Sequence, residues 1–593
     1  MCYLDWLVHH RETGDKVIFS IQKRLGFLIA AVMLFLAGGC ASNLPAPFLT
    51  ATACAELNGL VMGPQIIGLP TTGAVVTSAV IVPAAGTGVA AVAEYCKVLG
   101  DINPVDPTAP KIKFQVNMPS NWNGKAVMFG GGGYNGVLVT GLGNVPAGPT
   151  DKPAPLARGY ATFGSDSGHQ ANANGSRDGT FGANDEALRN FASHAIKKTR
   201  DVAINIIETR YASCVQKTYF AGGSTGGREA LFAVQNWPQD FDGAIALYPA
   251  WNAAALDLQF GRITRELAKP GAYPNRAKRK VLFDAALASC DELDGVKDGL
   301  IGNVNACNAM FNPMTATLAG QSVRCAGGVD TGDTCLSDTQ IAGYNVTNTP
   351  LTLNYTLASG ETTYPGFNTW GTDFGNPGTS PLQPTVLTLA LGTEQPANPM
   401  PAVKPATTAT IATSPPYSAT FWDQWVKYFV TRDANFNSLT LDPQNPGAYQ
   451  SRIVQLTAMQ DTNKTDLSAF ANKGGKILIA HGSHDALVSP RATQQYWQRI
   501  RTAMGAAKVD NFARYYEIPG YGHAVSSVFN AAWDSLTTLE NWVEKGIAPP
   551  PQTVADTAGV PGRTRPLCDY PGYARYKGAG DVNLAASFGC AVP

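Results

Sequence analysis

Lys217–Gln235 reads KTYFAGGSTGGREALFAVQ, and the order of its parts decides the fold. Lys217–Ala221 is a short apolar run of the kind that forms a buried strand, Gly222–Gly227 is a tight turn, and Arg228–Gln235 is helical in spacing. The turn holds Gly222-x-Ser224-x-Gly226, a G-x-S-x-G pattern in which the serine stands on a strained strand-to-helix corner with its hydroxyl exposed. The glycines have a steric reason: backbone segments close on this corner, and side chains beside the serine would collide. A glycine-rich chain produces loose matches by chance, so the strand before and the helix after give this one its weight.

Outward from that corner the same alternation continues. Lys113–Pro119 (KFQVNMP), Ala126–Gly130 (AVMFG), Tyr160–Ser165 (YATFGS) and Gly243–Tyr248 (GAIALY) read as buried strands bounded by Gly, Pro or Asn. Between Ser165 and Lys217, Leu188, Phe191, Ala195, Val202 and Ile206 recur on one helical face. Strand–helix alternation predicts a largely parallel sheet with helices on both faces. Residues 41–110 read as a short extended lead-in. Near Trp251 the alternation stops, and residues 251–470 hold four cysteines, an acidic loop and a Thr/Pro/Gly/Asn-rich tract. Lys476–Ala480 (KILIA) and Phe512–Ile518 (FARYYEI) restore the strands, and a last helix is expected with Val528, Leu536, Leu539 and Val543 on one face. The predicted architecture is an α/β core of residues 41–250 and 471–593, interrupted by a lid domain over 251–470 that is too long to be a plain loop.

Composition narrows the class. Lys+Arg and Asp+Glu each number 44, so the net charge is +0 and no nucleic-acid footprint is present. Charged residues are 15%, while Gly (61) and Pro (40) are abundant, which suits a rigid, loop-rich exported protein and excludes disorder, coiled coil and collagen. Leu25–Gly39 (LGFLIAAVMLFLAGG) follows Lys23–Arg24 and is short for a spanning helix, which needs about 20 residues, but suits a signal peptide over 1–40. Its end, Ala37-Gly38-Gly39-Cys40, resembles a lipobox, so Cys40 is expected to be lipidated; ordinary secretory cleavage nearby is the competing reading. Either way the mature chain is expected to be secreted or periplasmic, with an outer-membrane anchor if Cys40 carries lipid. Eleven cysteines less Cys2 and Cys40 leave nine, which outside the cytoplasm should mostly pair. Their spacing does not choose the pairs.

A serine hydroxyl needs a base, and the base an orienting carboxylate. After KILIA comes His481-Gly482-Ser483-His484-Asp485, and after FARYYEIPGYG comes His523. Taken singly, Asp485 reads equally as a cap and His523 as a loop histidine. Together they follow the Ser…Asp…His order of α/β-hydrolases, so Ser224 is expected as nucleophile, His523 as general base and acid, and Asp485 as orienter. His481 and His484 are expected to pack or cap beside Asp485. The oxyanion needs two backbone N–H groups, one from Thr225 and one from the run Phe129–Gly136 (FGGGGYNG). That run could instead cradle phosphate, but no G-K-[ST] follows. In Cys290–Leu300 (CDELDGVKDGL) the carboxylates of Asp291, Asp294 and Asp298 suit a hard cation, at a spacing unlike an EF-hand. A solvated acidic turn is the alternative.

Taken together, WNGKAVMFGGGGYNG (122–136), SDSGH (165–169), GGSTGGREAL (222–231), CDELDGVKDG (290–299), HGSHDALVS (481–489), PGYGH (519–523) and RTRPLCDYPGYARYKGAGD (563–581) resemble the tannase/feruloyl esterase family. The resemblance implies an α/β-hydrolase core with a calcium-containing lid and activity on small esters of aromatic acids. It implies Gly133 and Thr225 as oxyanion donors, and Asp291, Asp294 and Asp298 with the carbonyls of Val296 and Leu300 as ligands of a structural Ca²⁺. It also implies the pairs Cys54–Cys96, Cys290–Cys307, Cys325–Cys335 and Cys568–Cys590, with Cys214 left free. The family pattern places a disulfide between the residue before the serine and the residue after the histidine. Here these are Gly223 and Ala524, expected to face each other across a distance a disulfide could span. Where relatives acting on terephthalate monoesters use a lid arginine, this chain has Thr420. The lid aromatics Trp370, Tyr417, Phe421, Trp422 and Trp425 are candidates to line the acyl pocket, although each is expected in the core rather than against a ligand, and neither a substrate residue nor an oligomeric state is assigned. A serine peptidase shares the triad order, but the resemblance and the lack of a propeller-like repeat oppose it. A calcium-dependent surface binding protein that has lost catalysis is opposed by the intact Ser224, Asp485 and His523.

Overall fold

Ten strands build one mixed sheet: β1 (Val61–Met62), β2 (Gly73–Val82), β3 (Tyr95–Asn103), β4 (Ile112–Pro119), β5 (Lys125–Phe129), β6 (Ala161–Ser165), β7 (Lys217–Gly223), β8 (Gly243–Leu247), β9 (Lys476–Gly482) and β10 (Ala513–Ile518). This is seen in a computed structural model that describes residues 51–404, 407 and 412–593, of which Thr52–Pro593 is one compact unit. The expected signal peptide and Cys40 lie outside the described residues. The strand order is β1-β2-β3-β4-β6-β5-β7-β8-β9-β10. From β6 to β10 all neighbours are parallel, and from β1 to β4, and between β4 and β6, they are antiparallel.

The parallel strands read as unbroken apolar runs because both faces are covered. Along β7, Phe220 enters one core with Phe114, Phe163 and Ile206, while Tyr219 and Ala221 enter the other with Val127, Ile245 and Leu478. This is the two-residue period of a strand dividing its side chains between two layers. The expected helical face at 188–206 forms as Asp185–Arg189, a wide turn at Asn190–His194 and Ala195–Tyr211. The lead-in is more than a lead-in, because Gly73–Val82 and Tyr95–Asn103 pair in an antiparallel hairpin at the sheet's edge. Their small residues and scarce charges hid an ordinary alternation, with Ala74, Val76, Cys96 and Val98 buried on one face. The last helix is Ser535–Lys545, capped by Asp534; Leu536 and Leu539 are buried on it, but Val528 precedes it in the loop after His523.

β8 ends at Leu247 and β9 begins at Lys476, yet the two are parallel neighbours with Leu247 opposite Ala480. Residues 248–475 therefore leave the sheet and return to the same place. Within them the helix Ala253–Leu267 packs on Tyr417–Gln424, where Gly261 admits the Trp422 ring. Disulfides join Cys54–Cys96, Cys290–Cys307, Cys325–Cys335 and Cys568–Cys590. Cys214 is disulfide-bonded as well, which corrects the expectation that it is free. Among the described residues no helix is long and apolar enough to cross a membrane.

Candidate active site

Ser224 sits between β7 and the helix Thr225–Asn236 with φ 60°, a left-handed value unusual for a residue with a side chain. Close approach explains the flanking glycines: a Cβ on Gly222 would lie 2.1 Å from the carbonyl oxygen of Gly226, and one on Gly226 would lie 2.7 Å from that of Gly131. The turn thus pushes the Ser224 hydroxyl out of the sheet's end. His523, in the loop after β10, places Nε2 at 3.0 Å from Ser224 Oγ and Nδ1 at 2.8 Å from Asp485 Oδ2. Asp485, in the loop after β9, is fully buried, and its Oδ1 accepts the N–H groups of Leu487 and Val488, each at 2.8 Å.

Burial alone would raise the Asp485 carboxyl, but the His523 charge and hydrogen bonds from His481 and His523 hold it below the usual carboxylate range. His481 does more than cap. Its Nε2 faces two acceptors, Asp485 Oδ2 at 3.2 Å and the Val488 carbonyl at 3.1 Å, so it carries the proton and donates. Nδ1 then accepts from the Thr493 hydroxyl at 2.9 Å. His484 points elsewhere, onto Ser483 Oγ at 2.9 Å.

The glycine run lies against the nucleophile's helix. Gly226 N–H donates to the Gly131 carbonyl at 2.9 Å, and Thr225 Oγ1 donates to the Gly133 carbonyl at 2.6 Å. Gly133 has φ 61°, and a Cβ there would meet the Ser176 carbonyl oxygen at 2.4 Å. Sequence reading missed Glu229, one turn into the helix. Its buried carboxyl accepts Gly131 N–H at 3.0 Å and Asn135 Nδ2–H at 2.7 Å, fastening both ends of the loop.

Ser224 and His523 open into a cavity of about 620 Å³. Tyr417 and Phe421 line it, with Tyr134, Phe191 and Phe260. Trp370, Trp422 and Trp425 are buried in the core as expected. Thr420 is buried and stays out of the cavity wall, bonding the Pro416 carbonyl. Tyr248 also lines the cavity, and its ring fills the space beside Gly223, where a Cβ would come within 2.5 Å of it. The space that a side chain on Gly223 would take is therefore occupied.

In the acidic loop, Asp291 accepts the N–H groups of Asp298 and Gly299 at 3.2 and 3.1 Å, and Asp294 accepts that of Val296 at 3.3 Å. Asp298 forms a buried ion pair with Arg565. Burial and the negative neighbours Asp298 and Asp291 push the Asp294 carboxyl up to about 7. Among the described residues no group of three or more His, Cys, Asp or Glu side chains stands ready to hold a metal ion. The side-chain donors of this loop are all oxygen, the donor type of a hard cation, with Asp291 and Asp298 as the two negative neighbours of the 2% exposed Asp294.

A sheet parallel from β6 to β10, with its serine on the corner after β7 and Asp485 and His523 in the loops after β9 and β10, defines an α/β-hydrolase. The chain belongs to the tannase and feruloyl esterase family, whose profile matches residues 96–591, and is a carboxylic-ester hydrolase. It is 39% identical over 563 residues to an uncharacterized esterase of Agrobacterium fabrum, across 93% of this chain and 95% of that protein. It is 31% identical over 551 residues to mono(2-hydroxyethyl) terephthalate hydrolase of Piscinibacter sakaiensis, across 85% and 86%. The fold is similar to that of feruloyl esterase B from Aspergillus oryzae, with TM-score 0.68 and 22% identity over 88% of this chain and 98% of that one.

Proposed function

We propose that the enzyme cleaves esters of aromatic acids through an acyl-enzyme on Ser224. The observation that carries this reading is the bond of 3.0 Å between His523 Nε2 and Ser224 Oγ at an aromatic-lined cavity. His523 takes the Ser224 proton as Oγ attacks the ester carbonyl, and Asp485 holds the imidazole in the tautomer that leaves Nε2 free to accept. The N–H groups of Gly133 and Thr225 stabilise the oxyanion. The proton passes from His523 to the leaving alkoxide, which departs as the alcohol. Water then gives His523 a proton and attacks the acyl carbon, and the acid is released as Ser224 is reprotonated. Residues 251–470 serve in this reading as the lid over this cavity. Asp291, Asp294 and Asp298, with the carbonyls of Val296 and Leu300, would hold Ca²⁺, whose part is structural. Export, with Cys40 as lipid anchor, belongs to the same reading and rests on the apolar run 25–39 and the disulfides.

Ser224→Ala should lower kcat on aryl esters by about 10⁶-fold while thermal unfolding stays unchanged. Substantial turnover by the purified variant would refute the assignment.

A further inference from the structure

The cavity passes Ser224 and is built from both layers of side chains that flank the sheet. On one side Tyr134, Phe191, Phe260, Tyr417 and Phe421 belong to the core that Phe220 enters. On the other, Phe129, Val139 and Tyr248 belong to or pack against the core that Ala221 enters. Val137 and Leu138 precede Val139 in the loop after the glycine run and line the cavity too. Pro146 lines it from the end of that loop, between Val145 and Ala147, which pack in the same layer as Tyr248. Val137 is 59% exposed, so along this wall the cavity opens to solvent.

His523 decides which part of the ester enters which side. Its ring stands 5.0 Å from that of Tyr248, and its Nε2 faces Ser224 Oγ at 3.0 Å. When the acyl-enzyme forms, His523 gives the proton it took from Ser224 to the leaving oxygen, as the bond from the carbonyl carbon to that oxygen breaks. The leaving oxygen must therefore come within hydrogen-bond reach of Nε2, and the alcohol it carries extends along the Tyr248 side. The acid is left to the side of Tyr417 and Phe421.

Polar groups are scarce on the alcohol side. Asn144 lines the cavity there, but its amide is turned on its own loop: Nδ2 donates to the Pro149 carbonyl at 2.8 Å and Oδ1 accepts the Val145 N–H at 2.9 Å. The Tyr248 hydroxyl is engaged by Tyr521. Apart from tyrosines, the titrating side chains among the described residues lining the cavity are Asp257 and His523, and Asp257 is on the other side, 3.3 Å from Tyr134 Oη. Val137, Leu138, Val139 and Pro146 present side chains of carbon alone. A sugar or glycol entering here would shed water from hydroxyls that find no partner, whereas an alkyl chain gains by leaving water.

We propose that Val137, Leu138, Val139 and Pro146 form the subsite for the leaving alcohol, and that this subsite selects esters of apolar alcohols over those of sugars or glycols. The inference rests on the acyl-enzyme reading above and is independent of which acid is bound.

The test measures kcat/KM of the full chain on the methyl, propyl, butyl and 2-hydroxyethyl esters of two acids, cinnamic and acetic. Propyl and 2-hydroxyethyl are nearly equal in size, and the glycol is the better leaving group, so a preference for propyl reports the wall. Wild type should gain about two- to fourfold per methylene from methyl to butyl. It should favour propyl over 2-hydroxyethyl by about tenfold. Val137→Asn and Leu138→Asn should each erase about threefold of that preference, the methyl ester losing least, and Val137→Leu should keep the order of the series. Rates flat across the alkyl series, a wild type that prefers 2-hydroxyethyl, or Asn variants that slow every ester alike would overturn the inference. If a variant fails to fold, the wild-type series decides by itself. If the acetates are cleaved and the cinnamates are not, the aromatic-acid reading falls, and the acetate series still decides this inference.

Discussion

Tyr248 packs where a side chain on Gly223 would stand and against the catalytic histidine. Its ring stands edge-on to His523 at 5.0 Å between centroids and to Tyr521 at 6.1 Å, and the Tyr521 hydroxyl donates to the Ala524 carbonyl at 2.6 Å. The loop carrying His523 is thereby pressed from the side on which the resemblance implies a disulfide. Tyr248 holds a φ of 35°, a strained value of the sort that costs about 1–3 kcal/mol and persists only when its surroundings enforce it. Tyr248→Ala should lower kcat by about 10–100-fold and slow fluorophosphonate labelling of Ser224, whereas Tyr248→Phe, which keeps the ring, should stay near wild type. Gly223→Cys with Ala524→Cys should bridge readily only in the Tyr248→Ala background, because the ring otherwise occupies the cysteine's place. Unimpaired Tyr248→Ala activity would leave the ring with no positioning role. The two missing cysteines were legible in the sequence. The ring beside Gly223 was not, since nothing in the spacing links Tyr248 to it.

Among the elements, the helix Thr225–Asn236 serves both sides of the site. Its first turn presents Ser224 and Thr225, and Glu229 holds the loop that presents Gly133. Glu229→Ala should cost about 10–100-fold in kcat with KM little changed, and Glu229→Gln, which can accept one of the two bonds, should cost less. A matching loss in KM alone would mean that the loop shapes binding rather than the oxyanion site. The acidic loop makes a separate prediction. A chelator should lower the melting temperature, because a cation bound only by the folded chain stabilises it, and Asp294→Ala should melt like the chelated wild type. Undialysed protein without calcium would reduce the loop to a turn. The parallel strands were readable because burial on both faces leaves an apolar run, but the hairpin of β2 and β3 was not, because alternation among Ala, Val, Ser and Gly offers little contrast.

At the scale of the whole molecule, buried titrating groups act against one another. Burial pushes His484 down to about 4, so between there and its ordinary value of about 6.5 the unfolded chain binds a proton that the folded chain does not. This removes stability as pH falls through that window, by about 1.4 kcal/mol per unit at most. Burial also raises Asp166 to about 6, a carboxyl that loses stability in the opposite direction, as pH rises. The wild-type profile should therefore be shallow, and the His484 contribution is read as a difference. Wild type should lose ground to His484→Gln as pH drops from 6.5 to 4 in urea titrations, and a constant gap would show that His484 takes its proton in both states. Sequence alone determined the strand–turn–helix around Ser224, the order Ser224, Asp485, His523 and the return to the sheet at Lys476, because these depend on local period, glycine sterics and chain order. Only the tertiary structure decided what meets across the chain: Tyr248 beside Gly223, Glu229 beneath the glycine loop, His481 on Asp485, and Val139 with Tyr248 in one cavity wall. Those pairings depend on how layers far apart in sequence close upon each other, and no local pattern encodes that distance.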